Sequence, residues 1–566
     1  MREEPTLRET NIARLDDGVF DVLVVGGGIN GAVAAAALSG KGARVALIDR
    51  GDWGGFTSQE SSNLAWGGIK YLESYDFRLV RKLCLSRNHL LRSFPSIVKE
   101  IRFYTGVPKG FRHGRLKLWA GAWLYWLTGN GFTRPPRLLS PETMRTEEPI
   151  LDAERTVGGF EYSDAYLHDN DSRFVFTFVR SALNNGCIAA NYVESLGARR
   201  GGGVWETQAR DVVTGAAFAI RSRVLVNAAG PFVDAHNALT GQKTGHRHVF
   251  SKGVHLIVDR LTPNQRVLTL FASDGRLFFV IPMGARTCIG TTDTRVDGPV
   301  TAVSDEDRDF ILANVNDRLK LPKPLTRADV IAERCGVRPL VVRGGDGDAD
   351  GGGNGGGDGR DWLQLSRKHA VEVNRADAHV SIFGGKLTDC INVGDEVSRA
   401  AGALGVDLRF PDHRWYGEPA AQVRGEFEHQ AKLMDLDALT APTSTEPLTR
   451  RLWRRYGARA FLLLEDIRRD PRQAEILIEG TEYIRCELKE TARREMVVTL
   501  EDFLRRRSKI ALVVRREDIR RSPGLAEACA ILFGPRAGER LEEYFAGEER
   551  EPAPPVRDET SFVAPV

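Results

Sequence analysis

The 566-residue chain has no stretch of about 20 uninterrupted apolar residues, which excludes a membrane-spanning helix. Cysteine is sparse: Cys84, Cys187, Cys288, Cys335, Cys390, Cys486 and Cys529 are far apart, odd in number and form no CxxC. Neither a disulfide framework nor a zinc site is expected, and reduced, buried thiols are the consequence. Charge of one sign is also lacking, because 79 Lys and Arg face 76 Asp and Glu for a net +3, so no global field draws nucleic acid. The opening MREEPTLRETNIARLDDGVF lacks the apolar core of a secretory leader, which predicts a cytoplasmic protein. What remains is ordinary globular composition, 42% hydrophobic and 27% charged, over a length that calls for more than one core.

The first informative stretch is FDVLVVGGGINGAVAAAAL, Phe20 to Leu38. Its β-branched run predicts a parallel strand buried on both faces. Gly26, Gly28 and Gly31 then fit G-x-G-x-x-G, the pattern in which a tight turn, a close pyrophosphate and a tightly packed helix each require glycine. The alanines after Gly31 continue a helix whose N-terminal N–H groups face phosphate. A second strand, RVALID, ends at Asp49, eighteen positions beyond Gly31, where a carboxylate accepts ribose hydroxyls and repels the extra phosphate of NADP.

The residues after Asp49 decide between dinucleotides. A continuous NAD domain repeats strand–helix units, whereas TSQESSNLAWGGIKYL, Thr57 to Leu72, is polar and broken by Gly67 and Gly68. Ser58, Ser61 and Ser62 offer hydroxyls to a pyrophosphate, and the paired glycines offer bare backbone to a flat ring. RVLVNAAGP, with Ala228 and Gly230, and HVSIFGGKLTDCINVGDEV, with Gly384, Gly385, Lys386, Leu387 and Thr388, are two further strands that break into small residues. Three separated returns to one ligand predict FAD held as a prosthetic group.

These segments carry a resemblance. VVGGGINGA, SSNLAWGGIKYLE, EYSDAYLHDNDSR, VNAAGPFVD, KGVHLIV, IGTTDT, GVRPL and FGGKLT, in that order, resemble the FAD-dependent glycerol-3-phosphate dehydrogenases, which belong to the D-amino-acid-oxidase-like flavoproteins. The likeness runs from about Asp21 into the C-terminal ELKETARREMVVTLEDFLRRRSKIAL. The expected fold is α/β: a discontinuous Rossmann-like FAD-binding domain, an antiparallel substrate sheet and a C-terminal α-helical cap. The expected segments are 18–80, 155–235 and 363–405 for FAD, 81–154 as a basic aromatic insertion and 236–342 as the substrate sheet. A Gly/Asp-rich insertion at 343–361 is expected to be disordered, a helical domain fills 415–550, and the tail 551–566 is expected to be loose. The Gly/Asp insertion has no nine-residue repeat that would argue for calcium, and no metal is expected.

Flavin-linked alcohol oxidation needs a base for the hydroxyl proton and cations for a phosphate and for the reduced ring. The resemblance implies His255 as base, Arg338 as the forked grip on phosphate, and Lys386 beside the flavin, with Lys70 and Arg276 as further phosphate contacts. It also implies glycerol 3-phosphate as substrate and a membrane quinone as acceptor, at the inner face of the cytoplasmic membrane; a homodimer is left open. KGFRHGRLKLWAGAWLYWLTG, Lys109 to Gly129, puts cations before Trp119, Trp123, Tyr125 and Trp126, as a membrane-surface helix does, although the same stripe suits a buried helix. Several positions depart from the family pattern: Asn63 and Lys70 stand for a basic residue and an arginine, Trp66 for a histidine, Arg334 for a tyrosine, and Asp389, Cys390 and Ile391 for threonine, tyrosine and arginine. These departures leave two other readings open, an oxygen-dependent oxidase of this or another hydroxy or amino acid, and a flavin-binding sensor or scaffold without catalysis.

Overall fold

The computed structural model describes residues 5–343 and 368–546. All but the first residue of the Gly/Asp insertion, and the whole C-terminal tail, lie outside the described residues.

The apolar runs form two sheets. The first, eight-stranded, has the core order Ala370–Asn374, His379–Phe383, Ala217–Asn227, Val19–Val25, Val45–Asp49, Ile188–Asn191. From His379–Phe383 to Ile188–Asn191 every pairing is parallel. Strands buried on both faces explain the unbroken apolar character of VLVV and LVN. The alanine-rich helix Ile29–Gly40 packs against helices Asp171–Asn184 and Cys390–Ala403, and Ala32 to Ala37 are wholly enclosed. Small side chains there let three helices approach closely on one sheet face.

The second sheet has ten strands and roofs the first unit. Within it the β-branched and aromatic runs HLIVD, RVLTLFA, RLFFVIP and TCIGTTD fall in the strands His246–Asp259, Arg266–Phe271, Leu277–Met283 and Arg286–Gly290. Two features differ from the expected layout. Val98–Pro108 and Thr156–Leu167, placed by sequence in the insertion and the FAD segments, pair with each other in this sheet. Val98–Pro108 also runs parallel to Arg266–Phe271, so the sheet is mixed. Apolar alternation marks a strand as half buried without saying which sheet takes it.

The C-terminal helices, from Ala421–Leu433 to Ala537–Ala546, dock on the nucleotide unit through buried charge. Asp52, just past the second strand, accepts from Arg506 Nε at 2.8 Å, Arg507 Nη1 at 2.8 Å and Nη2 at 2.7 Å, and Asn191 Nδ2 at 2.8 Å. Glu495 pairs with Arg173 at 2.6 Å and Arg180 at 2.5 Å, while Asp169 holds Arg454 at 2.8 Å and Arg455 at 2.5 Å. Burial pushes Asp169 upward, yet Arg455 and Arg454 hold it far below the usual carboxylate range. Removing one partner from such a cluster strands a charge in low dielectric. We therefore predict that Asp52→Ala lowers unfolding free energy by about 3–5 kcal/mol, read by chemical denaturation; a loss within error of zero would show that the cluster does not hold the two units together.

Candidate active site

The glycine turn is shaped by contacts that leave no room for side chains. Gly26 has φ +106°, and a Cβ there would fall 2.4 Å from the Ala228 carbonyl oxygen. A Cβ at Gly31 would fall 1.7 Å from the Gly26 carbonyl oxygen. Gly28 differs: its Cβ would meet only Ser58 Oγ, at 3.4 Å, so the helix start stays open on that side. The turn fits a dinucleotide pyrophosphate, which needs bare backbone at the head of a helix. Gly230, at φ +59°, has open space beside it in the neighbouring turn.

Asp49 ends its strand as expected, but its oxygens already serve the turn: Oδ2 accepts Gly27 N–H at 2.5 Å and Oδ1 accepts Gly51 N–H at 2.8 Å. Burial raises its pKa against those two bonds. A carboxylate oxygen has two lone pairs, so capacity for a ribose hydroxyl remains. At Gly67 and Gly68 a side chain has no room. The Cβ positions are filled by Tyr125 Oη, 2.1 Å away, and by the Tyr71 ring, 2.6 Å away. Gly67 N–H donates to Asp164 at 3.0 and 3.2 Å, and this enclosed carboxylate also accepts from Tyr125 Oη at 2.7 Å and Arg87 Nη1 at 3.3 Å. Ser61 Oγ donates to Asp171 at 3.1 Å, and among the described residues Ser62 makes no side-chain hydrogen bond.

The chemistry-bearing residues come together on the roof. Residues directly opposite in antiparallel strands share a sheet face. Phe279 opposes Gly290, Gly290 opposes His255, and His255 opposes Arg334, forming one row across four strands. Two residues along, Gly253 opposes Gly336, and then Ser251 opposes Arg338. His255 is 3% exposed, with Nδ1 sealed and unpartnered. Burial, together with the Arg338 and Arg334 guanidinium groups, pushes it down to about 3, so the imidazole is neutral.

Arg338 lies over Gly253, where a Cβ would fall 2.1 Å from its Nη2. It donates to Thr291 Oγ1 at 3.0 Å and lies 3.3 Å from Asp293 Oδ1. Arg276 reaches the same turn, donating to the Asp293 carbonyl at 3.3 Å. Lys386 Nζ stands 4.3 Å from the Tyr71 ring centre and 5.7 Å from that of Trp66, whose edge meets Phe279 at 6.2 Å. The Gly384–Thr388 stretch is tied to the same place by Thr388 Oγ1, which donates to the Trp66 carbonyl at 3.3 Å. Thus Trp66 links Lys386 to the row that holds His255. Lys70 is the exception: it is exposed on the turn Ile69–Leu72 and bonds to none of these residues.

The departures are internally matched. Arg334 is fully enclosed and donates from Nη1 to Asn63 Oδ1 at 2.7 Å and to the Ser61 carbonyl, with Asp171 Oδ2 3.5 Å away. Asn63 and Arg334 are thus one contact, seen from two unusual positions. Asp389 is raised by burial but brought down to about 2 by His369 at 2.9 Å, Lys82 at 2.9 Å and Asn392. Sequence reasoning missed Gly253, Phe279, Asp164, Tyr125 and Arg87. Gly253 carried a signal, as a glycine two residues before His255 in a strand; the others are single residues whose partners lie up to 213 positions away.

A family model described as "FAD dependent oxidoreductase" matches residues 21–359, and one described as "C-terminal domain of alpha-glycerophosphate oxidase" matches 417–535. Glycerol-3-phosphate dehydrogenase 2 of Mycobacterium tuberculosis strain H37Rv is 30% identical, with 97% of this chain and 91% of the relative covered. Glycerol-3-phosphate dehydrogenase of Pseudomonas aeruginosa is 31% identical over 87% of this chain and 92% of its own. Among solved structures, glycerol-3-phosphate dehydrogenase from Bacillus halodurans complexed with FAD superposes with a TM-score of 0.68 at 24% identity, covering 96% and 97% of the two chains. That likeness concerns the fold.

Because the Gly253 position is occupied by the Arg338 guanidinium, Gly253→Ala is predicted to displace it from Thr291. The expected result is about a tenfold rise in KM for a phosphate-bearing substrate with FAD content unchanged, the scale of losing charge-assisted bonds. An unchanged KM would mean that Arg338 does not contact the phosphate of the substrate.

Proposed function

Since the chain belongs to the FAD-dependent glycerol-3-phosphate dehydrogenase family, we propose that it oxidises sn-glycerol 3-phosphate to dihydroxyacetone phosphate and passes the electrons to a membrane quinone. The observation that carries the reading is the sheet face on which neutral His255 lies near both Arg338, which covers Gly253 two residues away, and the aromatic residues that hold Lys386. FAD, when bound, supplies the two-electron acceptor for the substrate carbon. The rest falls to side chains of this chain. Arg338, with Arg276 on the same turn, binds the phosphate, and its fork suits a tetrahedral anion. His255 takes the hydroxyl proton. In the ligand-free site burial, Arg338 and Arg334 oppose its protonation; a phosphate dianion on Arg338 offsets the guanidinium charge, so His255 gains basicity as the substrate arrives. Lys386 places a cation where negative charge develops.

The membrane part rests on helix Arg115–Thr128, which is too short to span a bilayer. Its tryptophans are half buried: Trp119 meets Trp123 and Trp123 meets Trp126, edge to face at 6.0 and 5.3 Å, and Trp126 Nε1 donates to the Thr133 carbonyl. The outward stripe is aliphatic instead, with Leu116 61%, Leu124 44% and Leu127 59% exposed on one face beside Arg112 and Lys117. Apolar residues next to cations suit an anionic lipid surface.

A second reading, with oxygen as acceptor, draws on the match of residues 417–535 to the C-terminal domain of alpha-glycerophosphate oxidase. Glycerol 3-phosphate is expected to bleach the oxidised flavin absorbance anaerobically; full retention of that absorbance at saturating substrate would overturn the function. Admitting air then separates the acceptors, since stoichiometric peroxide without quinone favours the oxidase. A second expectation concerns the helix: serine at Leu116, Leu124 and Leu127 together lowers binding to anionic liposomes while dye-linked turnover persists. Undiminished liposome binding would place the contact surface elsewhere.

A further inference from the structure

One histidine outside every sequence motif joins three of them. His248 lies in strand His246–Asp259 with its side chain fully enclosed. Its Nε2 accepts the Gly384 N–H at 3.1 Å. An accepting Nε2 requires the ring proton on Nδ1. Nδ1 stands 3.1 Å from Asp234 Oδ2, at an angle too oblique for a full hydrogen bond, and the same oxygen accepts the His248 backbone N–H at 3.1 Å. The carboxylate therefore holds the strand and favours the tautomer that the glycine needs.

Gly384 is fixed from its other sides as well. Its carbonyl accepts Asn30 Nδ2 at 2.8 Å. Its φ is +57°, and a Cβ would fall 2.3 Å from Val341 Cγ2, on the strand that carries Arg338. Asp234 belongs to VNAAGPFVD, Asn30 to VVGGGINGA and Gly384 to FGGKLT, so one imidazole sits where all three segments meet. Two residues beyond Gly384 comes Lys386, over Tyr71 and Trp66. Phe383, 5.2 Å away, and Phe250, 6.3 Å away, pack against the ring, Val341 is its cross-strand partner, and Asp234 faces it with a charge.

We propose that His248 is a positioning residue: by accepting the Gly384 N–H in its Nδ1-protonated form, it sets the turn that presents Lys386 to the flavin. The proposal rests on the reading of Gly384 to Thr388 as part of the flavin site. An apolar residue of similar volume fills the space but leaves the Gly384 N–H buried without an acceptor, whereas glutamine brings an amide oxygen near the place of Nε2.

The test compares holoenzyme carrying His248→Leu with His248→Gln, reading FAD release on dilution and the visible flavin band. His248→Leu is expected to weaken FAD retention about tenfold and shift the band, while His248→Gln stays within about twofold of the parent. Equal loss in both variants, or none in His248→Leu, would overturn the proposal. In a Lys386→Met background the band shift caused by His248→Leu should vanish; its persistence at full size would mean general support of the fold, and would equally overturn it. Should His248→Leu fail to fold, His248→Asn, whose amide is too short to reach Gly384, takes its place in both arms. No glycerol 3-phosphate enters either arm, so failure of the proposed activity and failure of this inference are separate results.

Discussion

The molecule depends on how closely a helix is allowed to approach a strand end. With no side chain at Gly26 or Gly31, the start of helix Ile29–Gly40 sits against the Ala228 turn and the Gly26 carbonyl. That contact fixes the height of the helix over the sheet, and the height decides where Asn30 reaches. Asn30 in turn holds Gly384, and Gly384 leads to Lys386. One run of contacts thus joins the first turn to a cation more than 350 residues along the chain.

Buried charge has a separate role. Arg506, Arg507, Arg454, Arg455, Arg173 and Arg180 meet carboxylates across the boundary between the helical C-terminal unit and the nucleotide unit. Several of these pairs are almost wholly enclosed, so the attraction is weighed against lost hydration, and loss of either partner leaves a buried charge without its counter-ion. Arg505 carries this docking to the roof: it bonds Glu60 at 2.8 and 2.9 Å, while Glu60 accepts the Cys335 N–H at 3.1 Å, three residues before Arg338.

The nucleotide unit was legible because its signals are local. Gly26, Gly28, Gly31 and the terminal Asp49 fall within thirty residues, and each break from apolar run to glycine marks a strand end. The four roof strands from residue 246 onward were legible from β-branched and aromatic residues at hairpin spacing. Their partners were not, since the pairing of Thr156–Leu167 with Val98–Pro108 depends on distant chain segments that share no local mark. Burial of individual residues was equally hidden: the tryptophans of helix Arg115–Thr128 look like the membrane face in sequence, yet they pack on one another and leave leucines outside. His248 had no motif to announce it, and nothing within VNAAGPFVD marked Asp234 as its partner, because a hydrogen bond to a backbone N–H constrains geometry and leaves no composition pattern.

Gly290, Gly253 and Gly336 surround His255 and form a lane without side chains across the roof. Such a lane gives up the cross-strand side-chain pairs that normally stiffen a sheet. It returns a floor whose shape is set by peptide planes, the least variable part of any protein. The lane is therefore closed to gradual enlargement: a methyl at Gly290 would strike His255 at 2.7 Å, and one at Gly336 would strike Glu60 at 2.8 Å. A change of size or charge that leaves this lane intact must therefore fall off it, as at Trp66 or Arg276.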